Sequence, residues 1–303
     1  MEINNSYHIP VLLHPAVEGL NIKSDEIYVD LTYGGGGHSA EILSKLSENG
    51  RLLAFDQDKD ALRNLREEDN IEFINQNFRF LKNQLRMNSA FPVSGILADL
   101  GVSSHQFDTS ERGFSFRFES VLDMRMNKES GMSAIDVLNN YSHLQLIKIF
   151  KLYGELREAE RITERIIAAR KEGEIIYSKQ LLGLLDNMVP GKKINQFYAR
   201  IFQAIRIEVN SEMQVLEELL NQLSDAVKTG GRIVFITYHS LEDRMLKNYI
   251  KSGNVAGEID KDFYGNIIKP FKAINRKPIV PSEKEIKDNG RARSAKMRIA
   301  ERI

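Results

Sequence analysis

Four consecutive glycines, Gly34-Gly35-Gly36-Gly37, follow the apolar run Tyr28-Val29-Asp30-Leu31 and precede His38-Ser39 at the start of a helical pattern. Glycine has no Cβ, so the backbone can turn sharply here and come close to a ligand at the N-terminus of the following helix. A buried strand ending near a carboxylate, then such a turn, then a helix is the first βα unit of a nucleotide- or cofactor-binding α/β sheet.

The next residues repeat that alternation. After a strand over 27–31, Ala40, Ile42, Leu43 and Leu46 recur at helical spacing, Gly50 closes the helix, and Arg51 to Asp56 reads as a second buried strand. Helices over 59–65 and 80–87 separate strands at 71–74 and 95–100. Asp30, Asp56 and Asp99 therefore stand at strand carboxyl ends, which line one crevice in an open parallel sheet.

From about Asp108 to Asn195 the pattern is helical, with no strand. The expected fold is α/β: a doubly wound sheet over 1–107 and 200–303, interrupted by an all-helical domain over 108–199 that recognises the substrate. The α/β pattern resumes with Phe202 to Ile207. Ser211 and Gln214, at capping-box spacing, open a helix that ends at Gly230-Gly231. A fifth strand runs over 232–238, and a last one surrounds Ile299-Ala300.

With 303 residues, 42% hydrophobic and 28% charged, the chain can bury one large core or two smaller ones. It has no cysteine, which excludes disulfides, thiolate nucleophiles and cysteine-ligated zinc and fits a reducing compartment. Met1 to His8 lacks the basic and apolar regions of a leader, and no stretch is long and apolar enough to span a bilayer. A soluble cytoplasmic protein without a membrane partner is expected.

The formal net charge is zero but uneven: residues 269–302 hold eleven Lys or Arg against four Asp or Glu. That local excess predicts contact with a polyanion, with Arg291, Arg293, Lys296 and Arg298 as candidates for phosphate contacts. A solvated tail is the competing reading.

Taken literally, Gly35-Gly36-Gly37-His38-Ser39-Ala40 spells the G-x-G-x-x-A dinucleotide fingerprint. Asp56 follows about 20 residues later, the separation at which a carboxylate can take ribose hydroxyls. The pattern points to an adenosine cofactor. A nicotinamide would need a proton donor or acceptor beside its hydride site. S-adenosylmethionine needs an acid for its ribose, an apolar slot for adenine and polar groups for its methionine end. Asp56, Phe78, and Gly36, Gly37 and Asp99 supply these in turn. A nicotinamide dehydrogenase and a non-catalytic RNA-binding assembly factor are the alternatives.

Seven segments now carry a resemblance. They are 30–39 (DLTYGGGGHS), 99–104 (DLGVSS), 111–116 (ERGFSF), 122–126 (LDMRM), 202–207 (FQAIRI), 239–244 (HSLEDR) and 291–296 (RARSAK). In this order they resemble the bacterial small-subunit ribosomal RNA methyltransferase H family, also called MraW, over nearly the whole chain. The resemblance implies a class I (Rossmann-like) methyltransferase sheet with an inserted helical domain. It implies transfer of a methyl group from S-adenosylmethionine to N4 of a cytidine in the decoding region of 16S rRNA, within the small ribosomal subunit. It also places cofactor contacts on Gly36, Gly37, His38, Asp56, Phe78, Asp99 and Gln106. Two positions depart from the family: His105 replaces a proline, and Gln196-Phe197-Tyr198-Ala199 replaces a His-Pro-Ala triplet.

Methylating an exocyclic amine requires in-line positioning and an acceptor for its N–H bonds as conjugation is lost. Asp99 and His239 are the catalytic candidates. The competing reading of the second segment makes Ser240 a helix cap and Asp243 a first-turn acid. Cytosine must be unstacked to react, and Arg112, Phe114, Phe116 and Arg125 are candidates for holding the RNA. Phe114 and Phe116 serve equally well as the insert's own core. Nothing in this reading requires a metal.

Overall fold

The protein is described by a computed structural model over residues 10–65, 68–129 and 131–303. Met1 to His8, on which the expectation of no leader rests, lies outside the described residues. Helix α1 (Leu13–Gly19) leads into strand β1 (Ile27–Asp30), followed by α2 (Gly37–Leu43), β2 (Arg51–Phe55), β3 (Ile71–Ile74), α3 (Leu81–Met87) and β4 (Val93–Asp99). The helical stretch holds α4 (Ser104–Asp108), α5 (Ala134–Asn140), α6 (His143–Leu152), α7 (Ala159–Glu172), α8 (Ser178–Leu185) and α9 (Ile194–Val209). Last come α10 (Glu212–Ala226), β5 (Val227–Thr237), α11 (Ser240–Ser252), β6 (Phe271–Ala273), α12 (Glu283–Asp288) and β7 (Lys296–Arg302).

The chain forms two compact units. The first takes in residues up to Gly101 together with Met213–Ile303, and the second is Val102–Glu212.

In the first unit seven strands form one sheet in the order β3-β2-β1-β4-β5-β7-β6. β1 to β5 are parallel, whereas β7 runs antiparallel to both β5 and β6. This is the expected doubly wound α/β sheet, with the order reversing between β1 and β4. Side chains alternate along each strand with period two, so the sheet feeds two cores. Val29, Leu53, Ile96, Ala98, Ile233 and Phe235 face one core, completed by Leu81, Leu85, Leu219, Leu223 and Leu246 of the helices. Tyr28, Leu52, Leu97, Val234, Ile236 and Met297 face the other, completed by Ala16, Val17, Ile42 and Leu43. With both faces covered, the strands are near-continuous apolar runs.

The second unit has its own core. Leu138, Leu146, Phe150, Ile162, Ile166 and Leu181 meet Phe197, Ile201, Phe202 and Ile205 of α9. α9 is an amphipathic helix of 16 residues, and its apolar face is committed here. Phe202 to Ile207, expected to resume the α/β pattern, therefore belongs to the helical unit. That unit runs from Val102 to Glu212, wider than the expected 108–199. At the departure from the family, Phe197 and Tyr198 are buried, and α9 begins before them at Ile194. Ser211 has φ 50°, not the extended backbone of an N-cap.

Candidate active site

The turn after β1 is built by its neighbours. The Leu31 and Tyr33 N–H groups donate to Leu97 and Phe55 carbonyls, each at 2.9 Å, extending pairing past the strand end. Gly36 N–H then donates to Tyr33 O at 2.7 Å, and Gly36 takes φ 75°. A Cβ on Gly36 would lie 2.7 Å from the Tyr33 hydroxyl, and one on Gly37 would lie 2.1 Å from Pro10 Cγ. Only glycine fits either position.

Three carboxylates brace this turn, and they differ. Asp30 is fully buried; it accepts from Ser39 Oγ at 2.7 Å and from Thr32 N–H at 3.0 Å. It shapes the turn from inside, and burial raises its carboxyl above the usual range against the pull of His38 and these donors. Asp56, one residue past β2, accepts from Gly34 N–H on Oδ2 and Asp58 N–H on Oδ1, both at 2.8 Å. Each oxygen retains a lone pair for a further donor. Desolvation pushes the Asp56 carboxyl up to about 6 despite those two bonds.

Asp99 ends β4. Its N–H donates to Thr32 Oγ1 at 2.7 Å, and its Oδ1 accepts from the Tyr238 hydroxyl at 2.7 Å. His38 Nδ1 stands 3.9 Å from the other oxygen. Burial pushes the Asp99 carboxyl to about 6, opposed by His38 and Tyr238. His38 is buried, its Nε2 3.2 Å from Val11 O. A carbonyl only accepts, so this nitrogen carries the proton. What His38 can offer a ligand is its main-chain N–H in the first turn of α2, where helices leave N–H groups unsatisfied.

The chain matches the MraW methylase family over residues 5–303. It belongs to that family. A "Ribosomal RNA small subunit methyltransferase H" of Bacteroides thetaiotaomicron is 52% identical over 297 residues, covering 98% of each chain. The protein of the same name from Flavobacterium johnsoniae is 53% identical over 303 residues, all of both chains. A crystallised rRNA methylase from Streptococcus thermophilus aligns over 98% of this chain and 99% of its own, with 14% identity and a TM-score of 0.45. The sequence relatives carry the assignment; that structural likeness adds nothing to it.

The chain is thus a methyltransferase, and its methyl donor is S-adenosylmethionine. The first unit suits that molecule. The turn has no Cβ at Gly36 or Gly37 to block close approach. Asp56 keeps acceptor capacity for two hydroxyls, and the half-buried ring of Phe78 begins the 3₁₀ turn just after β3. Gln106 lies in the second unit. It is buried and closes the capping box of α4, its Oε1 accepting from Ser103 N–H at 3.1 Å.

Several expected roles are corrected. His239, not Ser240, is the N-cap of α11: its Nδ1 accepts from Glu242 N–H at 3.4 Å. Its Nε2 lies 3.1 Å from Glu242 Oε1, with both side chains at most 5% exposed. Both ring nitrogens thus face Glu242. Arg298 is bidentate to Asp243 at 2.7 and 3.2 Å and mostly buried, which takes it from the phosphate candidates.

In the second unit Arg112 is buried and donates to the Arg125 and Met126 carbonyls, each at 3.0 Å. Phe114 is buried in the core, and Phe116 packs against it, edge-on to Phe202 at 5.8 Å. These three build the helical unit from within. Arg125 is gripped by Asp123 at 2.8 and 3.0 Å. Among the basic candidates Arg293 is exposed, Arg291 is half-buried, and Lys296 is 44% exposed, 3.7 Å from Asp243. Sequence reasoning missed Tyr238 and Thr32, the hydrogen-bond partners of Asp99; position 238 directly after an apolar strand was the available signal.

Proposed function

We propose that this methyltransferase acts on 16S rRNA, adding a methyl group to N4 of a cytidine in the decoding region while the RNA is part of the small ribosomal subunit. The observation that carries the reading is the full-length identity of about half to relatives named ribosomal RNA small subunit methyltransferase H. We place the enzyme in the cytoplasm, where such subunits are made.

In this reading Asp56 accepts the two ribose hydroxyls, Phe78 lies against adenine, and the backbone at Gly36, Gly37 and His38 meets the methionine end with Asp99. Gln106 completes the proposed contacts. When bound, S-adenosylmethionine supplies a methyl group on a positively charged sulfur. The chain's own task is to orient the cytosine amine and accept its N–H bonds, and the Asp99 oxygen not used by Tyr238 is the acceptor that the first unit offers. An ionised carboxylate suits that task, and at neutral pH a group titrating near 6 is mostly ionised. The helical unit, Val102–Glu212, serves substrate recognition, with Arg125 a candidate for holding the RNA, and Arg291, Arg293 and Lys296 remain phosphate candidates.

The test is transfer of labelled methyl to purified small subunits and, separately, to naked 16S rRNA. Incorporation at one cytidine N4 in subunits is expected. Incorporation into neither substrate ends the reading.

A further inference from the structure

Between α11 and β6 the chain makes a small hairpin that the catalytic site does not use. Lys261 bridges Ile267, Asp262 N–H donates to Asn266 O at 2.9 Å, and Ile268 N–H donates to Asp260 O at 2.9 Å. The Asp262 carboxylate ties the tip: Oδ1 accepts from Tyr264 and Asn266 N–H groups at 2.9 Å each, and Oδ2 from Asn266 Nδ2 at 3.1 Å. Its feet are fixed too. Asn254 Oδ1 accepts from Gly257 and Glu258 N–H groups at 2.9 and 3.0 Å, and buried Phe271 packs on Tyr249 at 5.9 Å.

This well-tied turn presents two aromatic rings to solvent. Phe263 is 97% exposed and Tyr264 86%, the two edge-to-face at 5.7 Å. Neither ring contributes to a core among the described residues. We infer that Phe263 and Tyr264 form a stacking platform for an unpaired nucleobase of the substrate RNA, which rests on the function proposed above. Exposed aromatic faces bind bases in a sequence-tolerant way, provided the base is unpaired.

Charge selects RNA over other partners. From 258 to 280 there are five cations, of which Lys261, Lys272, Arg276 and Lys277 are exposed. Glu258, Asp260 and Asp262 oppose them, and Asp262 stays ionised because the Asn266 side-chain amide and the turn N–H groups hold its carboxyl below the usual range. The basic excess then continues to the end of the chain. The rings themselves sit among Glu258, Asp260, Lys261 and Asp262, and the positive charge that would meet phosphates follows in 269–302, where eleven Lys or Arg stand against four Asp or Glu.

The test uses the full chain and a fluorescent decoding-region fragment of 16S rRNA with an open loop, read by anisotropy. Replacing both rings (Phe263→Ala with Tyr264→Ala) should weaken binding about ten-fold or more. The salt dependence of binding should not change, because no phosphate contact is lost. The aromatic exchange Phe263→Tyr with Tyr264→Phe should bind like wild type, and all variants should share its thermal midpoint. An affinity of the double alanine variant within about two-fold of wild type overturns the inference, as does a wild type that does not bind the fragment. Weaker binding to whole subunits with unchanged binding to the fragment also overturns it, since the partner would be a ribosomal protein. Methyl transfer to subunits, assayed separately, decides the proposed reaction independently of these outcomes.

Discussion

The Tyr238 hydroxyl donates to Asp99 Oδ1 at 2.7 Å, joining the residue after β5 to the last residue of β4. Burial holds the tyrosine well above its usual titration range, so it stays protonated and can only donate to the carboxylate. Its bond favours ionised Asp99, against the burial that raises that group to about 6. Removing the hydroxyl with Tyr238→Phe should therefore raise Asp99 further, by about one unit for a bond of about 1.4 kcal/mol. The acidic limb of the pH–rate profile should move up by that amount while the rate near pH 9 stays close to wild type. A limb at the wild-type pH would show that Tyr238 does not set the state of Asp99.

The same burial makes Asp99 a cost to stability. A carboxyl raised in the folded state binds its proton more tightly there than when unfolded. Its stabilising contribution is thus complete below its unfolded value of 3.8 and is lost as pH rises to about 6. Asp99→Asn removes the charge and keeps an oxygen for Tyr238. Without cofactor, this variant should be more stable than wild type at pH 8, by roughly 1–3 kcal/mol, with no gain at pH 4. Thermal midpoints at the two pH values check this, and an equal or lower midpoint at pH 8 contradicts it. The stabilised variant should also lose methyl transfer.

Much of this was legible in the residues, for identifiable reasons. Buried strands covered on both faces leave near-continuous apolar runs, so β1, β2 and β4 were read close to their observed ends, whereas β5 begins at Val227 and runs through Gly230-Gly231, the pair expected to close α10. Asp56 and Asp99 could be placed because each follows such a run directly. Tyr238 also follows one, but its meaning depends on the register that pairs Asp99 with Ile236, and no local pattern encodes that. Arg112 and Arg298 show the opposite failure. Counting charge assumes solvent exposure, whereas these two guanidiniums are held by carbonyls and by Asp243 from distant parts of the chain. The α11 cap was misplaced by one residue because serine is the better cap former, yet His239 has the extended backbone and Glu242 completes its box.

Asp56 has two loads, the turn and the proposed ribose. Asp56→Asn keeps one oxygen but loses the charge, and hydrogen bonds to a charged group contribute about 1.5–3 kcal/mol each. Calorimetric titration with S-adenosylmethionine should show affinity reduced about a hundred-fold or more, with Asp56→Ala giving no measurable heat. Wild-type affinity in both variants would remove the ribose role.

Gly37→Ala tests the turn without touching a charge. The new methyl would fall 2.1 Å from Pro10 Cγ, so the segment before α1 or the turn itself must move. Overpacking of this kind costs about 1–3 kcal/mol. The variant should unfold at lower temperature and bind S-adenosylmethionine more weakly. A wild-type midpoint together with wild-type affinity would mean that the contact gives way freely and that the close fit is not needed.

The last prediction separates two arginines that look alike in sequence. Arg293 is exposed, so Arg293→Ala should leave the thermal midpoint unchanged. If it contacts a phosphate, the slope of log affinity against log salt for RNA should fall by about one. Arg298 instead neutralises Asp243, whose carboxyl it holds below the usual range against the penalty of burial. Arg298→Ala leaves that acid with Lys296 at 3.7 Å and the weaker pull of Lys247, which should cost about 1–3 kcal/mol of stability. The salt slope should stay as in wild type. Replacing both Arg298 and Asp243 with alanine should recover part of the loss, because no buried charge is then left without its partner. If Arg298→Ala instead lowers the slope and spares the midpoint, Arg298 reaches the RNA despite its bidentate partner.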